Sequence, residues 1–235
     1  MKLLVTPEIF DLFPEAVLGV VIARGIDNAG DPGAVFAALR RQEDLVREAF
    51  AGVSIPDHPR IAPWREAYRR FGAKPKDYPS SIENLVRRVA KGHPLPHVNT
   101  LVDLYNTVSL RYLLPAGGED LDWIKGDVLL TRAREDEPPV RLLGEPEERA
   151  PRPGEVIYTD RVSAICRRWN WKEADRTKLT LATRNAVLVL ERLPPMTQAQ
   201  LNDAVEELAH LVFTHCGGDV RTVLVDRGHP EADLT

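Results

Sequence analysis

Residues 164–171 read Ala-Ile-Cys-Arg-Arg-Trp-Asn-Trp, two arginines and two tryptophans around one asparagine in a chain with four tryptophans in all. In an extended segment successive side chains alternate between faces. Arg167, Trp169 and Trp171 would then share one side, with Arg168 and Asn170 on the other. A guanidinium beside an indole suits a planar anionic partner: the fork meets a phosphate or carboxylate while the ring stacks on a base. The plainer alternative is a sheet edge anchored by half-buried tryptophans, with arginine stems laid over them.

A second constellation is the series Asn99, Asp103 and Asn106, spaced i, i+4 and i+7. On a helix this makes one polar stripe and leaves Leu101, Leu104, Val108 and Leu110 for packing. Asn and Asp compete for backbone hydrogen bonds and are poor interior helix formers, so a whole stripe of them implies partners. Those partners are either a ligand or structure, with Asn99 capping the helix and Asp103 and Asn106 tying down a loop. The run Gly117-Gly-Glu-Asp-Leu-Asp122 reads as a flexible turn whose carboxylates could hold a cation or an ammonium group, or as an ordinary loop cap. Asp160 closes the segment that begins at Glu155, a place where turn chemistry alone accounts for an Asp.

Two further pairs are set aside. His93 and His97 are four apart, but Pro94 and Pro96 forbid the helix that would align them on a metal. His215 and Cys216 are adjacent, and adjacent helical residues diverge by about 100°, too far for a base and nucleophile to meet easily. No G-x-S-x-G, Walker or G-x-G-x-x-G motif is present. No metal and no cofactor is expected.

The elements that must position these residues follow from periodicity. Strands are expected over 2–6 and 16–24, the second a continuous apolar run typical of a buried position. A helix over 33–51 should bury Val35, Leu39, Leu45, Val46 and Phe50. Pro56, Pro59 and Pro63 break the chain before a basic helix over 64–70. Ser80 and Glu83 form a capping box that opens a helix to Lys91, closed by Gly92. A third helix spans 99–113 and stops before Pro115. Strands are expected over 127–132, 140–143, 155–159, 162–167, 178–182 and 186–191. A helix over 198–214, a strand over 220–225 and a frayed tail from Arg227 complete the chain. Helices first, strands second, then helix plus strand read as α+β.

The chain has 235 residues, of which 43% are hydrophobic, enough for one large core or two small ones. A net charge of −4 argues against a generic nucleic-acid coat. Its distribution is uneven. Residues 60–93 carry nine Lys/Arg against three Asp/Glu, and residues 161–184 carry seven against two. A basic face on an acidic body can hold one phosphate-bearing ligand without binding every polyanion. The two cysteines, Cys166 and Cys216, are too few for a disulfide scaffold, and a reduced cytoplasmic protein is expected. Residues 1–13 lack a signal-peptide layout. The longest apolar stretch, 16–23, is too short to span a bilayer, so no membrane role is expected.

Several stretches together resemble the B3/B4 editing domain of the phenylalanyl-tRNA synthetase β subunit, in particular its free-standing relatives. They are Asn99-Thr-Leu-Val-Asp103-Leu-Tyr-Asn106 with the preceding Leu95-Pro-His-Val98, Gly117-Gly-Glu-Asp-Leu-Asp122, Gly154-Glu-Val-Ile-Tyr-Thr-Asp160, Arg167-Arg-Trp-Asn-Trp171 and Asn185-Ala-Val-Leu-Val-Leu-Glu191. They occur in the family's order and cover roughly residues 60–195. In the synthetase that domain hydrolyses tyrosine wrongly esterified to the phenylalanine tRNA. The chain departs from the pattern in two places. Pro115-Ala116-Gly117 stands where the synthetase has Pro-Leu-His, and Arg167-Arg168-Trp169 lies near its Gly-Gly-Glu. The histidine and glutamate associated with editing are therefore not carried over.

The resemblance implies a single α+β B3/B4-like domain with a strand-rich C-terminal half packed against helices. Residues 1–59 would add a strand and helix to the same core, 60–195 form the editing-type region, 196–226 complete the core, and 227–235 form the tail. The implied function is trans-editing, hydrolysis of a mischarged tRNA, with the aminoacylated 3′ end or a free amino acid as ligand. Arg167 and Arg168 would bind the tRNA end, and Trp169 or Trp171, flanking Asn170, would stack on the terminal adenosine or wall the amino-acid pocket. Asn99, Asp103 and Asn106 would orient the amino group or a water, with Glu173 as the available carboxylate. Two alternatives stay open: a non-catalytic tRNA- or amino-acid-binding module, and a small-molecule hydrolase or ligand-binding protein using the same pocket.

Overall fold

The apolar run expected as a strand forms Val17–Arg24, and seven of its eight residues are buried. The computed structural model describes residues 1–30 and 33–235. In chain order its elements begin with β1 (Lys2–Val5), α1 (Pro7–Leu12), β2 (Val17–Arg24), α2 (Gly33–Ala49) and a 3-10 turn at Ile55–Asp57. Next come α3 (Ala62–Arg70), α4 (Ser81–Ala90), α5 (Thr100–Tyr112), β3 (Ala116–Asp120) and β4 (Val128–Arg132). The short pair β5 (Val140–Arg141) and β6 (Glu148–Arg149) precedes β7 (Val156–Thr159), β8 (Ala164–Arg167) and β9 (Lys172–Glu173). The chain closes with β10 (Asn185–Arg192), α6 (Gln198–Cys216), β11 (Asp219–Val225) and β12 (Glu231–Asp233).

These form one α+β domain with two main sheets. A four-stranded sheet runs β11-β2-β10-β3, all antiparallel. A six-stranded sheet runs β12-β1-β4-β7-β8-β9, with β1 and β4 its parallel pair. The alternation of β2 explains its unbroken apolar run. Val17, Val21 and Ala23 join a cluster with α5 and α6, while Leu18, Val20 and Ile22 join the cluster shared with the six-stranded sheet. Gly19 lets α6 cross closely, since a Cβ there would lie 2.1 Å from Val205 Cγ2.

Local signals set the helix ends. The Asn99 side chain accepts from Val102 N at the start of α5, and Leu113 ends that helix at φ 53°. Thr197 and Gln200 form a full capping box on α6. The box expected at Ser80 is only half made. Its hydroxyl accepts from Glu83 N, but the Glu83 carboxylate turns to Arg65 and Arg87, each 2.5 Å away. Burial raises the Glu83 pKa, opposed by those two guanidiniums. A buried carboxylate is better held by two cations than by one amide.

Five other expectations are corrected. Leu45 is exposed, and Gln42 and Glu43 take the buried side of α2 instead. Residues 117–122 are not a flexible turn, because most of the run is the edge strand β3. Residues 178–182 form no strand; one bridge joins Lys178 to Glu119, and the loop is held by Asn99 Nδ2 donating to Leu179 O and Asn28 Nδ2 to Thr180 O. The tail is ordered rather than frayed. β12 pairs with β1, and Leu234 is fully buried. Finally, the extended alternation proposed for 164–171 ends at Arg167. Arg168 and Trp169 take left-handed φ values of 48° and 65°, and the chain reverses into β9.

Among the described residues no helix is long and apolar enough to cross a membrane.

Candidate functional site

The reversal between β8 and β9 brings the Arg-Trp segment against the gap between the sheets. Two consecutive non-glycine residues at positive φ are strained, a state that persists only where surrounding contacts fix it. Here Trp169 N donates to Val156 O at 2.6 Å, Arg168 N to Glu155 Oε1 at 3.2 Å, and Ser81 N to Asn170 O at 3.0 Å. Trp169 is fully buried, its ring 4.8 Å from Phe13 and 5.1 Å edge-on to Trp64.

Beside this turn lies a cavity of about 240 Å³. The four-stranded sheet contributes Gly117, Gly118, Glu119, Val187, Val189 and Glu191 to its wall. The six-stranded sheet adds Tyr158, Ile165, Cys166 and Glu173, and α5 adds Tyr105 and Asn106. Three glutamates thus meet in a largely apolar enclosure. Desolvation disfavours a charged carboxylate, so all three pKa values rise. Burial lifts Glu173 to about 7, with the backbone N–H of Gly118 pulling the other way. Burial also raises Glu119 well above the usual range, reinforced by the nearby Glu173 charge. Glu191 is lifted to about 7 by burial, opposed by hydrogen bonds from Tyr158 and Asn170.

The three differ in freedom. Glu191 is fully engaged: Tyr158 Oη donates to Oε1 at 2.6 Å, and Asn170 Nδ2 donates to Oε2. Tyr68 Oη in turn donates to Asn170 Oδ1 at 2.9 Å. Glu119 has one buried oxygen, Oε2, without a hydrogen bond. Glu173 accepts one weak bond, from Gly118 N at 3.3 Å. The approach depends on glycine, because a Cβ on Gly117 would lie 2.8 Å from Glu173 Oε1.

Of the residues expected from sequence, Asn106, Trp169, Asn170, Trp171 and Glu173 line this cavity. Four do not. Asn99 is fully buried as cap and loop anchor. Asp103 is turned away to His97, with Oδ2 2.6 Å from Nδ1, and burial raises its pKa. The expectation that Arg167 faces a ligand is corrected: its Nε and Nη2 each donate to Glu155 at 2.9 Å in a buried bidentate pair. Arg168 is buried as well, in the corner between Tyr78 and Trp171, its Cζ 3.6 Å and 4.5 Å from the two ring centroids.

The aspartates singled out from sequence are spent on structure. Thr183 Oγ1 donates to Asp120 at 2.6 Å, Asn185 to Asp122 at 2.9 Å, and Arg176 to Asp160 at 2.8 Å. No group of three His, Cys, Asp or Glu among the described residues is set to hold a metal. Sequence reasoning had Glu119 only within the carboxylate run 117–122, read for a cation or an ammonium group, and missed Glu191 and Tyr158 as site residues. For Glu191 the signal was a glutamate near the end of an apolar strand, where alternation would place it inward.

A family model of the B3/4 domain matches residues 63–217, about two thirds of the chain. The chain belongs to the B3/4 domain family. The match runs from α3 to the end of α6, so every cavity residue named above falls within the B3/4 region. Among solved structures, the B3/4 chain is similar to an N-terminal fragment of the phenylalanyl-tRNA synthetase β-subunit from Pyrococcus horikoshii. That similarity has 12% identity and a TM-score of 0.48 over 94% of this chain and 53% of that one. The chain therefore spans about half the length of that fragment. A comparison with curated proteins finds no match.

Proposed function

We propose that this protein hydrolyses the ester joining a wrongly chosen amino acid to the 3′ end of a tRNA, acting in trans. The observation that carries the reading is Glu173, a carboxylate lifted to about 7 and held by one weak hydrogen bond in a cavity of about 240 Å³. A general base works best with a pKa near the operating pH. Family membership adds support, since B3/4 domains occur in the phenylalanyl-tRNA synthetase β subunit.

Each group then has a task. The aminoacyl side chain occupies the apolar part of the cavity, among Ile165, Val187 and Val189. Its α-ammonium donates a hydrogen bond to Glu119 Oε2, the buried oxygen that has no other partner. The Glu173 charge lies near enough to raise Glu119 further, so ionising one disfavours ionising the other. Glu173 takes a proton from water as the hydroxide adds to the ester carbonyl. The tetrahedral intermediate then expels the ribose oxygen, which receives that proton. The products are a free amino acid and a tRNA with its hydroxyl restored. Asn106 is a cavity amide placed to donate to the oxyanion. An aminoacyl ester is already activated, so positioning and polarisation suffice.

A binding-only module is the second reading, and it is favoured by the absence of any histidine from the cavity wall. Incubating the purified protein with a panel of mischarged tRNAs separates the two. The editing reading expects at least one to be deacylated faster than its spontaneous rate. Tight binding without turnover on every member selects the module.

A further inference from the structure

A second cavity of about 190 Å³ lies on the other side of the same aromatic corner. Trp171 lines the first cavity, and Arg168, stacked on its ring, lines the second together with Lys74, Tyr78 and Arg152. The second cavity is unlike the first in charge. Arg167 neutralises Glu155, so the cations facing the space outnumber its remaining acid, Asp77.

Arg168 is the decisive residue. It is 6% exposed, yet its guanidinium makes no hydrogen bond among the described residues. The nearest carboxylate oxygen, Glu155 Oε2, is 3.7 Å from Nη2. The unused Arg168 donors open onto the cavity, where an anionic oxygen is the acceptor that suits a guanidinium fork best. Stacking against Tyr78 and Trp171 fixes its plane, so the fork is already oriented. Lys74 and Arg152 are exposed and carry no side-chain ion pair among the described residues. Burial lowers the Arg168 pKa, opposed by the nearby Glu155 carboxylate and reinforced by the positive charges of Arg167 and Arg152. By volume the space holds on the order of six waters, room for a phosphate group with part of its hydration shell.

We propose that this second cavity is a phosphodiester-binding subsite, in which the Arg168 fork grips the phosphate and Lys74 and Arg152 supply outer charge. The proposal rests on the editing reading for its source of phosphate, the backbone of the tRNA's 3′ end. An aminoacyl group in the first cavity and a backbone phosphate in the second would sit on either side of the Trp171–Arg168 layer. Arg167 takes no part, because Glu155 already occupies its fork.

The test compares the native protein with K74A/R152A, whose exposed sites leave the fold intact. Both are titrated by calorimetry with the dinucleotide CpA, with adenosine and with inorganic phosphate, and both are assayed on tyrosine ethyl ester. The subsite predicts that CpA binds the native protein at least ~10-fold more tightly than adenosine does, with part of that margin lost in the variant, which keeps the Arg168 fork. It also predicts a shallower salt dependence for the variant. Equal CpA binding by both proteins, or CpA no tighter than adenosine, overturns it. Inorganic phosphate binding as tightly as CpA overturns the assignment to RNA. The ester carries no phosphate, so its hydrolysis by the native protein tests the editing reading apart from the subsite. A protein that hydrolyses no ester but keeps the CpA margin loses the editing reading and keeps this subsite.

Discussion

Gly117 leaves open the space that the Glu173 carboxylate occupies: a Cβ at residue 117 would lie 2.8 Å from Oε1. The obstructing atom is the end of a flexible side chain, so the carboxylate can swing aside with little strain in the fold. G117A should therefore keep its melting temperature within a few degrees while ester hydrolysis falls by roughly tenfold or more, because an ångström of misplacement is expensive in catalysis. Thermal melts and initial rates on the same preparation decide this. A large drop in stability would make Gly117 a packing residue only.

Arg167 and Arg168 should behave differently although they are neighbours. Removing Arg167 strands a buried Glu155, and breaking such a pair from one side costs about 3–5 kcal/mol. R168A leaves that bidentate pair in place and loses mainly stacking on Tyr78 and Trp171. Denaturant unfolding of both single variants should show R167A as much the less stable. Equal destabilisation would contradict the assignment of the carboxylate to Arg167.

Stability should depend on pH through Glu191. Its folded pKa, about 7, stands above the ordinary 4.5 because of burial. A raised folded value means the native state holds the proton more tightly. That stabilisation is complete below about 4.5 and is lost as pH climbs through about 7. The melting temperature should fall between pH 5 and pH 8, and E191Q should flatten the fall. An identical slope in both proteins would show that Glu191 titrates normally.

The carboxy-terminal strand should carry real stability. Leu234 and Ala232 are buried, and β12 closes one edge of the six-stranded sheet. Truncation after Pro230 should lower stability by about 2–3 kcal/mol for the lost Leu234 side chain and more for the exposed edge of β1. A truncated chain that melts like the full one would show that the pairing is dispensable.

Much of the scaffold was legible in the chain because it rests on local signals. The continuous apolar run of β2 predicts a strand buried on both faces, Asn99 announces the start of α5, and the order of helices and strands gives the α+β class. The misses have long-range causes. The capping box at Ser80 fails because Arg65, from α3, competes for Glu83. The tail orders only because β1 presents an edge more than two hundred residues earlier in the chain. Positive φ at Arg168 and Trp169 is dictated by partners at residues 155 and 156. At the site, Asn106 was recoverable from residue type and spacing, whereas Glu173 entered only through the family resemblance. The convergence of Glu119 and Glu191 on them required knowing which faces of β3 and β10 look across the gap.

The most direct measurement is the pH dependence of deacylation, on whichever mischarged tRNA turns over, for the native protein and E173Q. With Glu173 as general base, the native rate should rise with pH and level off above an apparent pKa near 7. E173Q, nearly isosteric and uncharged, should lose ~10²–10⁴-fold at the plateau, together with that inflection, while still melting as a folded protein. A folded E173Q that keeps both the native rate and the inflection near 7 would contradict the role given to this carboxylate.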